Sequence, residues 1–334
     1  MKIVDMHLYL YDERFNTPII TPKIKLEKRK ALFVALVTDN NVYYYGECNA
    51  FETDWYTNET IDEAQIQVKE WFESIQDIAF YTFDDIISSL NHLSKYPATR
   101  SMIVMACYQM FFKLTDFSVA YGATVSGLAE ENILQLSQTR PQRVKIKWSD
   151  SILDDIKTVE KLSFKPDIVV DANESITEAE ITKLTTIGNN RLLYIEEPFK
   201  SLEMLKQFYI YELPPVAIDE KADTVNNILE AIDAYAIAVV VLKPFRLGGI
   251  DKVLDIIKAL SDKNVKIVIG GMYEYGLSRY FTAMLAQLCD YPSDITPEGY
   301  YFEKDIVDRA GILKGGSIYF EPPKVKSTRL TRIY

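Results

Sequence analysis

The feature that most narrows the fold of this chain is a regular return of charge. From residue 143 onward, short apolar runs rich in β-branched residues each end on an ionisable group or a glycine. They are Val144 to Lys147, Ile168-Val169-Val170-Asp171, Leu193-Tyr194-Ile195-Glu196, Val216-Ala217-Ile218-Asp219, Val239-Val240-Val241-Leu242-Lys243 and Ile267-Val268-Ile269-Gly270. The successive intervals from Lys147 to Asp171, Glu196, Asp219 and Lys243 are 24, 25, 23 and 24 residues. A polar amphipathic stretch fills each interval. One strand, one helix and two loops take about that length, and parallel strands need such a crossover. Six units in register, with a further strand possible at Ser293-Asp294-Ile295, predict a (β/α) barrel.

The residues before the repeat read differently. Residues 2–12 alternate, 31–37 and 42–47 suggest a hairpin across 39–41, and 60–92 carry helical periodicity. That describes a small α+β unit over 1–95, followed by an apolar helical stretch at 100–115 and a barrel over 96–307.

Composition excludes several classes of partner. Lys plus Arg number 37 and Asp plus Glu 48, so the net charge is −11, which repels phosphate backbones and anionic lipid. No apolar run approaches the ~18 residues of a membrane span. The start, Met1-Lys2-Ile3-Val4-Asp5, reads as a strand and not as a secretory signal, so a cytoplasmic location is expected. Cys48, Cys107 and Cys289 are widely spaced and odd in number, which argues against a disulfide framework. With only His7 and His92 present, acid and base chemistry falls to Lys, Asp, Glu or Tyr.

In a barrel of this kind the functional groups gather at the C-terminal ends of the strands. A charged residue after a strand is often only the first loop residue, but five in phase call for another explanation. Three carboxylates within about 4 Å of one another repel by about 4 kcal/mol per pair at an effective dielectric of 20. A divalent cation relieves that cost, and Asp171, Glu196 and Asp219, without His or Cys among them, select Mg²⁺ or Mn²⁺ over zinc. A strand period of two puts Lys145 and Lys147 on one face, toward the barrel mouth, with Lys243 on the other side of the carboxylates. Lysines crowded by a metal and by one another are expected to have their pKa lowered toward ~7 to 8, so proton abstraction is the expected chemistry. Lys145 is either a partner that orients carboxylates or a catalytic group.

The ordered set of strand-end motifs resembles the enolase superfamily. It comprises Lys145-Ile146-Lys147, Asp171-Ala172-Asn173, Glu196-Glu197-Pro198, Asp219-Glu220, Lys243-Pro244-Phe245-Arg246-Leu247-Gly248-Gly249 and Gly270-Gly271-Met272-Tyr273-Glu274. Within the superfamily, where a lysine base beside Mg²⁺ is a known pattern, a lysine on each side of the metal resembles the muconate-lactonizing subgroup. Arg29-Lys30-Ala31-Leu32-Phe33-Val34, Gly46-Glu47-Cys48 and Tyr56-Thr57-Asn58-Glu59-Thr60 look like its capping domain, and 301–306 like its last barrel strand region.

The resemblance implies a (β/α)7β barrel of modified TIM type under an N-terminal α+β capping domain, with 308–334 returning to that domain. It implies Mg²⁺ on Asp171, Glu196 and Asp219, and Lys147, Lys243 and Lys145 as catalytic residues. Asn173, Gly270, Gly271, Met272, Glu274, Arg29 and Tyr56 are the implied substrate contacts, with 17–23 and 51–56 reading the substrate tail. The glycine pair either admits the substrate or only makes a tight turn. The substrate is then a small carboxylate. The first expected reaction is syn-dehydration of 2-succinyl-6-hydroxy-2,4-cyclohexadiene-1-carboxylate through an enediolate, with Lys147 as base and then acid, as in menaquinone formation. Racemisation of an N-succinylamino acid by Lys147 and Lys243 is the alternative, and a non-catalytic scaffold a remote one. Lys221, Tyr300 and Asp54 depart from residues frequent in the family, and bear on substrate identity more than on chemistry.

Overall fold

The structure is a computed structural model that describes residues 1–21, 24–188, 191–209 and 212–334. Strands β1 (Ile3–Ile20), β2 (Lys25–Thr38) and β3 (Tyr43–Cys48) form an antiparallel sheet, and β2 and β3 turn across 39–41, with Asn41 at φ 59°. Helices Ile61–Ser74 and Phe83–Ser89 each start on a reciprocal threonine cap, Thr60 with Glu63 and Thr82 with Asp85, which satisfies amides that a helix start leaves free. Helix Pro97–Phe111 lies against β3 so closely that a Cβ on Gly46 would stand 1.9 Å from the Met102 carbonyl oxygen. No helix among the described residues is long and apolar enough to cross a membrane.

After β4 (Phe117–Ala120) come seven parallel strands in sequential order. They are β5 (Gly122–Val125), β6 (Arg143–Lys147), β7 (Asp167–Asp171), β8 (Tyr194–Glu196), β9 (Val216–Ile218), β10 (Ile237–Leu242) and β11 (Lys266–Ile269). An isolated parallel bridge from Gly270 to Asp294 adds an eighth position, shorter than the strand expected at 293–295. The sheet curls until its ends meet through side chains. Asp294 accepts from Arg143 Nη2 at 2.5 Å and from Lys145 Nζ at 2.6 Å, and the Tyr300 hydroxyl donates to the Thr124 carbonyl at 3.3 Å. Gly122 gives the Arg143 guanidinium room, since a Cβ there would come within 2.5 Å of it.

Alternation sorts each strand into two layers. Val144, Ile146, Ile168, Val170, Ile195, Ile218, Val240, Leu242 and Ile269 join the large core against the helices. Val169, Tyr194, Ala217, Val239, Val241 and Val268 form a separate small cluster that fills the barrel interior. The stretch 308–334 divides instead of returning as one piece. β13 (Ser317–Phe320) pairs with β4 on one side and with β12 (Ile312–Lys314) on the other, while β14 (Thr331–Arg332) joins β1.

One carboxylate stitches the N-terminal sheet to the barrel. Glu47 on β3 accepts from the Tyr275 and Ser278 amides, both at 2.8 Å, at the start of helix Gly276–Ala286. Burial pushes its carboxyl up to about 8, helped by Glu274 and opposed by the two amides. The folded protein therefore keeps a proton that the unfolded chain, with a value near 4.5, gives up. The stability this lends is full below the unfolded value and is lost as pH rises through about 8, at up to about 1.4 kcal/mol per pH unit. Thermal unfolding should show wild type losing ground between about pH 6 and about pH 8.5, and Glu47→Gln, which mimics the protonated form, losing less. Parallel losses in the two proteins would mean that Glu47 is ionised in the fold.

Candidate active site

The pairing register builds the site. Lys147 pairs with Asp171 and Asp171 with Glu196, so these three stand in one row across β6, β7 and β8. Each site residue lies two positions after an interior residue, Asp171 after Val169, Glu196 after Tyr194, Asp219 after Ala217 and Lys243 after Val241. The same period that packs the barrel interior thus aims these groups into its mouth.

Each carboxylate meets a cation. Lys147 Nζ donates to Asp171 Oδ2 at 2.6 Å and to Asn173 Oδ1 at 2.8 Å, and its side chain is 38% exposed. Lys145, buried below it, donates to Glu196 at 3.3 Å and Asp294 at 2.6 Å and lies 3.8 Å from Asp171. Lys243, with an 8% exposed side chain, donates to Asp219 Oδ2 at 2.6 Å and to the Tyr56 hydroxyl at 2.8 Å. Arg246 adds 3.0 Å to Asp219 Oδ1 and 3.2 Å to Tyr56.

These contacts decide the charges. Burial pulls Lys145 and Lys243 down, yet the carboxylates around Lys145 and Asp219 beside Lys243 overcome it and hold both above the usual lysine range. The lowering expected from the sequence belongs to lysines beside a metal charge, whereas the side chains alone supply anions, which act on these two in the opposite direction. Burial raises Asp219, but Lys243 and Arg246 bring it to about 2. Glu196 goes the other way: burial pushes it well above the carboxylate range, and Asp171 and Asp219 add to this against Lys145.

Among the described residues, no three acidic, His or Cys side chains form a ready cage for a metal. The chemistry of the donors nevertheless fits a hard divalent cation. Three carboxylates approach from neighbouring strands, Glu196 still carries the repulsion of the other two, and Glu220 Oε2 beside them is buried without a partner.

The remaining expected contacts spread over several places. Asn173 and Tyr56 reach the lysines directly. Gly270 makes room for a lysine, since a Cβ there would stand 3.0 Å from Lys243 Cε, and Gly271 makes room for Glu274, whose Oε2 would lie 2.6 Å from a Cβ at that position. Glu274 is buried against the Ser278 and Thr282 hydroxyls, at 2.8 and 2.6 Å. Met272 is buried in the main core. Arg29 lies over the Phe51 ring at 4.1 Å and gives Nη1 to the carbonyls of Ala50 and Lys30. Phe51, Trp55 and Tyr56 pack together in 51–56, Asp54 is exposed there, and Pro22 and Lys23 of 17–23 lie outside the described residues.

The sequence reading assigned no site role to Asp294, Arg143, Arg246 or Glu197 and connected Lys221 only with substrate identity, yet all five bond to the site's frame. For Asp294 the signal was present, because it stands 294 − 270 = 24 residues after Gly270, one more step of the repeat.

A curled parallel sheet with paired lysines and carboxylates at its strand ends, joined to an antiparallel N-terminal sheet, is an enolase-type architecture. The family described as enolase C-terminal domain-like matches residues 129–323, more than half of the chain, and the chain belongs to it. Over 332 residues it is 26% identical to the o-succinylbenzoate synthase of Bacillus subtilis (strain 168), covering 92% of this chain and 88% of that protein. It is 30% identical over 183 residues to the N-succinylamino acid racemase of Thermus thermophilus, covering 52% of this chain and 49% of that one. A crystal structure of an enolase superfamily member from Listeria innocua superposes with a TM-score of 0.82 at 21% identity, over 99% of this chain and 95% of the other.

Proposed function

We propose that the protein is an o-succinylbenzoate synthase, an Mg²⁺-dependent lyase that dehydrates 2-succinyl-6-hydroxy-2,4-cyclohexadiene-1-carboxylate to 2-succinylbenzoate in menaquinone formation. The observation that carries this reading over racemisation is the inequality of the two lysines. Lys147 is partly exposed at the mouth, whereas Lys243 is buried and tied to Asp219 and Tyr56. A syn-elimination needs one lysine that moves protons and one fixed charge; racemisation needs two that move protons.

In the mechanism, Asp171, Glu196 and Asp219 would hold Mg²⁺, which when bound would supply Lewis-acid polarisation of the substrate carboxylate worth several kcal/mol. Lys147, as the base, takes the proton from the ring carbon that bears this carboxylate. As an ammonium it then protonates the departing hydroxyl on the same face, so one water leaves and the ring becomes aromatic. Lys243 stays protonated and faces the developing negative charge. Lys145, held by Asp294 and Glu196, keeps a fixed charge under the row of carboxylates and shares Asp171 with Lys147, through which it orients that base. Tyr56 brings the 51–56 loop onto Lys243 and shields it from water.

The similarity to an N-succinylamino acid racemase gives the second reading, and one experiment separates the two. The protein is incubated with Mg²⁺ in D₂O, in parallel with the cyclohexadiene substrate and with N-succinylphenylglycine. The expected result is rapid 2-succinylbenzoate formation with slow α-deuteration of the amino acid. Fast deuteration of both enantiomers without aromatic product would overturn the synthase in favour of the racemase.

A further inference from the structure

Asp171, Glu196 and Asp219 stand on three different strands, and the loops that follow them are joined at one point. Lys221, two residues beyond Asp219, donates to Glu174 of the loop after β7, to Glu197 Oε2 of the loop after β8 at 2.6 Å, and to the Phe199 carbonyl at 3.1 Å. We propose that Lys221 is a positioning residue: its ammonium clasps the ends of β7, β8 and β9 and so sets the spacing of the three carboxylates for their cation. The inference rests on the metal-dependent reading of the site.

An ordinary surface ion pair would contribute little, but three observations separate this one from that class. Glu197 is 1% exposed, so without Lys221 a carboxylate would be left buried and unpaired. Its other oxygen, Oε1, accepts from the amides of Asp219 at 2.8 Å and of Lys221 at 3.0 Å, which ties the paired carboxylate to the backbone of a proposed ligand. Finally, Asn173, Glu174 and Glu197 hold left-handed backbone at φ 44°, 61° and 42°, a conformation that non-glycine residues keep only where their surroundings enforce it. The Glu174 amide donates to the Glu197 carbonyl at 2.6 Å between two of these residues. The clasp therefore sits where the backbone most needs to be held.

The test uses the whole protein, with Lys221→Met to remove the ammonium and Lys221→Arg to restore a cation that can reach both glutamates. Hydrogen exchange without metal reads the clasp itself. Peptides covering 171–176, 196–200 and 218–222 should exchange faster in Lys221→Met and close to wild type in Lys221→Arg, while the rest of the barrel is unchanged. Mn²⁺ binding followed by electron paramagnetic resonance reads the consequence. Affinity should fall by about 10-fold or more in Lys221→Met and recover in Lys221→Arg, the size seen when residues supporting a ligand are lost. In turnover the metal requirement should rise more than kcat falls. Unchanged exchange in all three loops, or wild-type Mn²⁺ affinity in Lys221→Met, overturns the clasp. Wild type that binds Mn²⁺ but makes no 2-succinylbenzoate leaves the clasp intact and counts against the synthase alone.

Discussion

Lys147→Ala is expected to leave a folded protein whose turnover is lower by about 10³-fold. The Lys147 side chain is 38% exposed, so its removal uncovers little apolar surface, and Asp171 keeps Lys145 as a cation at 3.8 Å. What disappears is the one amine among the described residues that both faces solvent at the barrel mouth and stands in the row of carboxylates. Because the same amine takes the proton and returns it to the hydroxyl, two readouts must fail together. Dehydration should stop, and so should deuterium exchange at the ring carbon beside the substrate carboxylate. Exchange at the wild-type rate in Lys147→Ala would assign the base to another residue.

Asp219→Asn should be the most damaging single substitution for the fold of the site. Lys243 and Arg246 are both buried against this carboxylate, at 2.6 and 3.0 Å. A neutral amide leaves two buried cations with only Tyr56 and backbone carbonyls, and breaking a buried pair in this way costs about 3–5 kcal/mol. Activity should be lost as well, since a proposed metal donor goes with it. Acid titration provides an independent check. With Asp219 at about 2 in the folded protein and 3.8 as its ordinary value, its contribution is full above the ordinary value and is lost as pH falls toward about 2. Wild type should show that acid limb more strongly than Asp219→Asn. Equal unfolding midpoints at neutral pH in urea would contradict the pairing.

The barrel from β6 onward was legible because its strands are buried on both faces and, from β6 to β10, end in charge, so that pattern and spacing agree. β5 was not, since Gly122-Ala123-Thr124-Val125 is short, small and without an ionic end. β4 and β13 escaped because each is half of a pair 200 residues apart in sequence, and nothing local announces such a partner. At the site, the phase of the repeat identified Lys147, Asp171, Glu196, Asp219 and Lys243 as a group. It could not tell which lysine is buried and which is exposed, since that depends on Tyr56 and Arg246 arriving from other segments. Gly270 was legible as a place where a side chain is excluded, but the group that needs the room is Lys243.

The joint at Asp294 ties assembly to electrical balance. Barrel segments leave the ribosome in order, and domains generally fold as units from the N-terminal side. The segment bearing Asp294 comes last among them and brings the carboxylate that Arg143 and Lys145 share. Until it docks, two cations inside the ring lack their closest counter-charge. A nascent chain short of residue 294 therefore carries the row of acids and bases without the floor that aligns them, so the geometry for chemistry arrives only with the piece that shuts the ring.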